Sequence, residues 1–229
     1  MPVHIEHERA AWESWRIKHC RHASYSKNHN NQAFWIAGVD EVGRGPLAGP
    51  VVACAFMVNF NQIKQNHLPW VDDSKSISAK KRADIAQTLK AGFIYRFGAA
   101  STHEIDHINI LNASKLAMQR AIMGLRHHPS TPPHFLLPDF VLIDGNQALN
   151  MDIAQKTIVK GDKQSFLIAA ASILAKQCRD DIMKALAKRY PHFGFERHAG
   201  YGVKQHLEAL RQYAPCPHHR YSFKPLKQG

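Results

Sequence analysis

Residues 38–56 read GVDEVGRGPLAGPVVACAF. Two adjacent acids, Asp40 and Glu41, end an apolar run and are followed almost at once by an arginine between glycines, Gly43-Arg44-Gly45. The flanking runs, FWIAGVD at 34–40 and VVACAFMV at 51–58, are apolar, β-prone and of strand length, and the Gly/Pro-rich segment between them is turn sequence. The reading is strand, turn, strand. A carboxylate at the end of a buried strand is costly unless it is solvated, paired or bound to a cation, so these acids point to a site.

Working outward, SISAKKRADIAQTLKAG (76–92) predicts a helix capped by Ser78 and ended by Gly92. YRFGAAS (95–101) predicts a third strand. In residues 101–125, Ile110, Ala113 or Ser114, Ala117, Ala121 and Leu125 recur at helical spacing. DFVLID (139–144) is a short strand closing on Asp144, and KTIVKGD (156–162) is another closing on Asp162. The stretch 165–190 is a long helix whose Ala/Ser-rich first half permits close approach to a sheet, and the tail holds one more helix before a basic, Pro-broken end.

Three early strands followed by helix–strand alternation predict an α/β fold, a mixed β-sheet flanked by helices, with a small C-terminal helical extension. The chain divides into a basic arm at 1–33, an α/β domain at 34–190, and the extension and tail at 191–229. Trp12 and Trp15 can share a short helical face, but the arm reads mainly as mobile.

The 229 residues, 45% hydrophobic, suffice for one sizeable core. Thirty Lys and Arg against 18 Asp and Glu give a formal charge of +12, which points to a polyanionic partner, nucleic acid being the commonest. No apolar run reaches the roughly 18 residues of a membrane span. The first residues lack the apolar core of a secretory signal, so a cytoplasmic location is expected. Cys20, Cys54, Cys178 and Cys216 form no C-x-x-C pair, which argues against a disulfide framework or a closed zinc site. Cys216 beside His218 and His219 reads as an ordinary turn.

Open α/β sheets place ligands beyond the carboxyl ends of their strands. Asp40-Glu41, Asp144 and Asp162 stand at three such ends, so four acids can converge. Like charges that close are relieved by shared protons or divalent cations, and oxygen-only ligands suit Mg²⁺ or Mn²⁺. In a basic chain the division of labour is natural: cations hold phosphodiesters and metal-binding acids serve hydrolysis. Each acid also has a plainer reading. Asp162 in KGDKQS suits a helix N-cap, and Asp144 in DGN suits a turn. Neighbouring strand residues face opposite ways, so Asp40 and Glu41 converge only if the chain bends at once, as Gly43 and Gly45 allow. The Gly-Arg-Gly turn reads either as a plain surface turn or as a set of amides gripping phosphate or sugar oxygens, with Arg44 adding directed donors.

Five blocks, GVDEVGRGPLAGPVV, DDSKSIS, LIDGN, VKGD with IAAASILAK, and HAGYG, occur in this order. Together they resemble the bacterial type 2 ribonuclease H family from about Phe34 to Phe223. The resemblance implies a ribonuclease H-like fold and an endoribonuclease that hydrolyses the RNA strand of RNA–DNA hybrids. It also implies cutting 5′ of single ribonucleotides embedded in duplex DNA, leaving 3′-hydroxyl and 5′-phosphate ends, in ribonucleotide removal and RNA primer processing. Asp40, Glu41, Asp144 and Asp162 match the family's metal-binding acids, served by Mg²⁺ or Mn²⁺. Gly43, Arg44 and Gly45 match the turn that contacts the ribose 2′-hydroxyl, and Tyr201 matches the tyrosine on the following deoxyribose. Lys75 matches a lysine near the substrate phosphates, and a monomer is expected.

Two departures stand out: Ser76 and Ala199 occupy positions where the family usually has lysine, which bears on substrate affinity. Arg179, Asp180 and Asp181 read as structural or solvated groups rather than further metal ligands. A type 3 ribonuclease H carries a folded N-terminal domain that 33 polar residues are too few to supply. A junction-resolving nuclease of the same fold is a further alternative. A catalytically inactive nucleic-acid-binding protein of this fold is disfavoured by the four intact acids.

Overall fold

The computed structural model describes residues 5–20, 34–64 and 77–227. Strands β1 (Trp35–Val42), β2 (Val51–Asn59), β3 (Ile94–Ala100), β4 (Phe140–Asp144) and β5 (Gln155–Ile158) form one sheet in the order β3-β2-β1-β4-β5. The first three pair antiparallel, and β1-β4 and β4-β5 pair parallel, which is the mixed sheet expected. Val39 of β1 pairs with Ile143 of β4. The next residues along, Asp40 and Asp144, therefore lie side by side at the carboxyl ends of neighbouring parallel strands.

The α-helices among the described residues are α1 (Glu6–Cys20), α2 (Phe60–Lys64), α3 (Ala79–Gly92), α4 (Thr102–Gly124), α5 (Phe166–Arg189), α6 (Phe195–His198) and α7 (Lys204–Gln212). Helix α4 covers one face of the sheet, packing Ala113, Ala117 and Ala121 against Val39, Ala53 and Ala55. Helix α5, backed by α3, covers the other with Leu167, Ala170, Ala171 and Leu174 against Ile36, Cys54 and Phe56. Both faces are thus buried, which is why β2 reads as an unbroken apolar run. The close approach expected of α5 is met at Gly38, where a Cβ would lie 2.4 Å from the backbone of Leu167. Ser78 caps α3 as expected, accepting from Lys81 N. Helix α4 is kinked at Asn109 (φ 65°), whose Oδ1 accepts from Asn112 N at 3.1 Å and so restarts the helix.

Three features differ from the sequence reading. Strand β1 runs on through Val42, so the bend comes after both acids and they face opposite sides of the sheet. Strand β5 stops at Ile158, and Asp162 sits beyond it in a 3-10 turn, Gly161–Lys163. The N-cap of α5 is Ser165, not Asp162: its Oγ accepts from Ile168 N at 3.3 Å.

The third difference is the arm, whose residues 6–20 form a docked helix. Trp12 stacks on Phe60 at 5.0 Å, and Trp15 packs on Phe34 at 5.0 Å. Glu8, fully buried, accepts from Ser165 Oγ at 2.7 Å and Leu167 N at 3.2 Å. A carboxylate at the N-terminus of α5 is favoured by the unpaired amides there, while burial pushes its pKa up. Ala11, Trp12 and Trp15, with Ile5, form an apolar stripe at helical spacing that the His/Arg-rich composition masked. Residues 21–33 lie outside the described residues.

The C-terminal extension shares a core with α5 and the turn after β1, through Ala48, Met183, Phe193, Phe195, Ala209 and Cys216. A bridge between Ala48 and His219 ties the two. Among the described residues no helix is long and apolar enough to cross a membrane.

Candidate active site

At the carboxyl end of β1, Asp40 is buried against α5, where Ser172 hydrogen-bonds to it, and its Oδ1 accepts from Glu41 N at 2.7 Å. Burial, followed by the charges of Glu41 and Asp144, holds its pKa well above the usual carboxylate range. Glu41 is pushed up by burial and by Asp144, and drawn down by Arg44, whose Nη1 lies 3.3 Å from Glu41 Oε1. Glu41 and Asp144 line a cleft of about 80 Å³ together with Arg44, Ser114, Lys115 and Asn146. Asp144 Oδ1 accepts from Gly161 N at 2.6 Å, which pins the 3-10 turn carrying buried Asp162 to the end of β4.

Asp40, Glu41 and Asp144 are thus close enough to oppose one another's ionisation, and the Asp162 turn is tethered to one of them. The donors are all carboxylate oxygens in a place where negative charge is disfavoured, which suits a hard divalent cation. Among the described residues no three His, Cys, Asp or Glu side chains already stand in a ligating arrangement. Asp40, Glu41 and Asp144 are instead held by local partners: an amide, an arginine and a second amide.

The Gly-Arg-Gly turn is built from beneath by two buried arginines. Gly43 adopts φ +93°, open to glycine, and a Cβ there would lie 2.1 Å from Arg179 Nε. Arg179 donates to the carbonyls of Pro50 (3.0 Å), Ala199 (3.0 Å) and Ala48 (3.1 Å). It is structural, as its place in the sequence suggested. Asp180 pairs with Arg82 and Lys176, and Asp181 with Gln177 and Lys184, so neither faces the acids.

Arg220, which sequence reasoning missed, donates from Nη2 to Gly43 O (2.5 Å) and from Nη1 to Arg44 O (2.8 Å). It also reaches Gly49 O from Nε (3.1 Å) and Nη2 (2.8 Å). Burial and the neighbouring Arg179 push its pKa down to about 9, so it stays charged at neutral pH. In a planar trans peptide the N–H points opposite the C=O. With the carbonyls of Gly43 and Arg44 held inward, the N–H groups of Arg44 and Gly45, both exposed residues, face outward.

Half-exposed Tyr201 adjoins this turn: a Cβ on Gly45 would come within 3.3 Å of its Cε1. Leu47 N donates to Gly200 O at 2.8 Å, stitching the two loops together. Ala199 lies just before them with φ +49°. Lys75 and Ser76 lie outside the described residues. A larger depression of about 270 Å³ lies between α3, α5 and α6 and presents Arg82, Lys176, Lys184 and Arg197. It includes none of the four acids, and Asp180 and Glu196 already pair with three of its cations.

Comparison with known proteins agrees with this architecture. Residues 37–226 match the family model described as Ribonuclease HII. Ribonuclease HII of Staphylococcus epidermidis is 48% identical over 199 residues, 86% of this chain and 72% of that protein. Ribonuclease HII of Chlamydia caviae is 49% identical over 195 residues, 84% of this chain and 85% of that protein. Among solved structures, ribonuclease H2 from Pyrococcus horikoshii OT3 superposes with TM-score 0.67 at 25% identity, covering 84% of this chain and 95% of that one. The Mn²⁺ complex of Bst-RNase HIII shares the fold, with TM-score 0.59 at 17% identity over 80% of this chain and 71% of that one.

Proposed function

The chain belongs to the ribonuclease HII family, and from that premise we propose that it cuts duplex DNA on the 5′ side of a single embedded ribonucleotide. Members of the family are divalent-metal-dependent endoribonucleases acting on the RNA of RNA–DNA hybrids. The finer reading assigns Asp40, Glu41, Asp144 and Asp162 to a Mg²⁺ or Mn²⁺ site, Gly43, Arg44 and Gly45 to the ribose, Tyr201 to the next deoxyribose, and Lys75 to a phosphate. Products carry 3′-hydroxyl and 5′-phosphate ends. The cellular task is ribonucleotide removal and RNA primer processing, performed in the cytoplasm by a monomer.

One observation carries this reading: the outward amides of Arg44 and Gly45 lie between the acids and the Tyr201 ring. Acids alone act on a phosphodiester that RNA and DNA share. Selectivity needs a group that reads the 2′-hydroxyl, which both donates and accepts. An amide next to the acids supplies a donor, and the carboxylate of Glu41 offers an acceptor in the same cleft. The Tyr201 ring supplies a flat surface that a deoxyribose fits and a second 2′-hydroxyl crowds. When bound, a divalent cation supplies activation of water and relief of charge on the leaving oxygen. Arg44 balances Glu41, and Gly161 N holds Asp144 ready in its strand-end position.

Cleavage of three end-labelled duplexes tests the proposal: one with a lone ribonucleotide, one RNA–DNA hybrid and one all-DNA. The expected result is a cut 5′ of the lone ribonucleotide, cutting of the hybrid, and no cut in DNA. Tyr201→Ala should lose preference for the RNA–DNA junction while still cutting the hybrid. Wild-type protein that cuts hybrid but leaves the lone ribonucleotide intact overturns the roles given to the turn and Tyr201. Absence of any cleavage with either metal would favour an inactive nucleic-acid-binding protein.

A further inference from the structure

Behind Tyr201 lies a polar chain in an otherwise apolar core. Cys216 N donates to His219 Nδ1 at 3.0 Å, His219 Nε2 lies 3.0 Å from His206 Nε2, and His206 Nδ1 lies 2.9 Å from Tyr201 O. His206 and His219 are fully buried among Phe193, Phe195 and the ring of His198, which stacks on His206 at 4.8 Å. The Tyr201 end of this chain fixes the protons in it. His219 Nδ1 also lies 3.2 Å from Cys216 O and 3.2 Å from Cys216 Sγ, so the direction is set at the other end: a backbone carbonyl only accepts, so His206 Nδ1 carries its proton. Two neutral rings then leave one proton between them, donated by His219 Nε2 to His206 Nε2. His219 Nδ1 is thereby left as the acceptor of its shorter contact, Cys216 N–H, and the sequence Cys216 N–H, His219, His206, Tyr201 C=O runs in a single direction. Burial pushes both imidazoles down, His219 to about 4, so both are neutral near pH 7 as the chain requires.

The far end of the chain is anchored where the turn is anchored. His219 immediately precedes Arg220, whose guanidinium holds Gly43 and Arg44, and Arg220 N donates to Leu47 O at 2.9 Å. Gly49 N donates to His218 O at 2.8 Å. One short segment, 216–220, thus holds the Gly-Arg-Gly turn directly and the Tyr201 backbone through two histidines.

We infer that His206, relayed by His219, is a specificity-positioning residue that fixes the Tyr201 backbone at a set distance from the Gly-Arg-Gly turn, and so tunes preference for an RNA–DNA junction. This rests on the junction-reading role proposed for Tyr201. Neither histidine touches substrate; each acts through the Tyr201 carbonyl.

Two near-isosteric substitutions separate the links. His206→Gln places an acceptor where Nε2 stood, keeping the link to His219 and losing the donor to Tyr201 O. His206→Asn places a donor where Nδ1 stood, keeping the link to Tyr201 and orphaning His219 Nε2–H. Junction preference is read as kcat/KM on a junction duplex over that on uniform hybrid. His206→Gln should lower it about fivefold, the factor carried by one neutral hydrogen bond, while His206→Asn should keep it despite losing more stability. A purely structural role would make preference follow stability instead. If Tyr201→Ala loses the preference but His206→Gln keeps it, the inference is overturned; if Tyr201→Ala keeps it, the reading of Tyr201 fails as well. The wild-type protein gives an independent check through ¹⁵N shifts of its imidazoles at pH 7. Nδ1–H on His206 and Nε2–H on His219 are expected, and the reverse tautomers or a charged ring would overturn the chain.

Discussion

Arg220→Lys preserves the charge beneath the Gly-Arg-Gly turn and removes the fork that shapes it. The guanidinium makes four hydrogen bonds to three carbonyls, those of Gly43, Arg44 and Gly49, at 2.5–3.1 Å. An ammonium gathers its three donors on one atom and cannot span three carbonyls that converge on a planar fork. Two of the four bonds are therefore lost at the least. A hydrogen bond to a charged group contributes about 1.5–3 kcal/mol, so destabilisation of about 4 kcal/mol is expected. A domain of this size has roughly 5–15 kcal/mol, so the variant should still fold. Urea unfolding reads the loss as a lower midpoint at unchanged slope. Single-turnover cleavage reads the second effect: with the Gly43 and Arg44 carbonyls released, the outward amides lose their aim, and cutting at a lone ribonucleotide should fall more than cutting of hybrid. A loss under about 1 kcal/mol, with the cleavage ratio unchanged, would refute the claim that Arg220 shapes the turn.

Other expectations follow from the same structure. Glu8→Ala removes the acceptor shared by Ser165 Oγ and Leu167 N; a cost of about 2 kcal/mol, measured by urea unfolding, is expected, and none at all would mean that α1 does not dock through this residue. His219 has its pKa lowered from 6.5 to about 4 by burial, so the unfolded chain takes up a proton that the folded chain refuses. Its contribution is intact above pH 6.5 and lost as pH falls toward 4, at most about 3 kcal/mol, and His219→Gln should flatten that part of the stability–pH curve. With 30 Lys and Arg against 18 Asp and Glu, affinity for any duplex should fall steeply with salt as counterions are released; a flat dependence from low to physiological salt would contradict a phosphate-binding surface.

The strands, helices α3, α4 and α5 and the convergence of Asp40 with Asp144 were legible because they rest on local pattern: apolar runs, Ser caps, and acids at strand ends. The reach of β1 was not. Its last two residues, Glu41 and Val42, pair with Ala53 and Val52, and pairing is a tertiary fact that overrides the local turn signal. Asp162 was placed at a strand end because VKGD continues an apolar run, yet the Asp144 carboxylate takes Gly161 N and draws the chain into a 3-10 turn. Helix α1 was obscured by composition, since its buried glutamate is recognisable only once the N-terminus of α5 is seen beside it. Arg220 and His206 carry no local mark, because their partners lie 171 or more residues away for Arg220 and in a separate turn for His206. Such residues are visible only when the fold brings buried polar atoms and backbone carbonyls together.

The central claim, that the acids at the carboxyl end of β1 and β4 form the metal-dependent cutting centre, is tested most directly by Asp144→Asn. Asparagine keeps an oxygen for Gly161 N, so the fold should stand, and it removes the charge that presses on Asp40 and Glu41. Cleavage of a lone-ribonucleotide duplex, measured across a Mn²⁺ titration at matched folding and matched duplex binding, gives the answer. The expected result is binding retained and turnover lost at every metal concentration; cleavage at the wild-type rate would contradict the assignment.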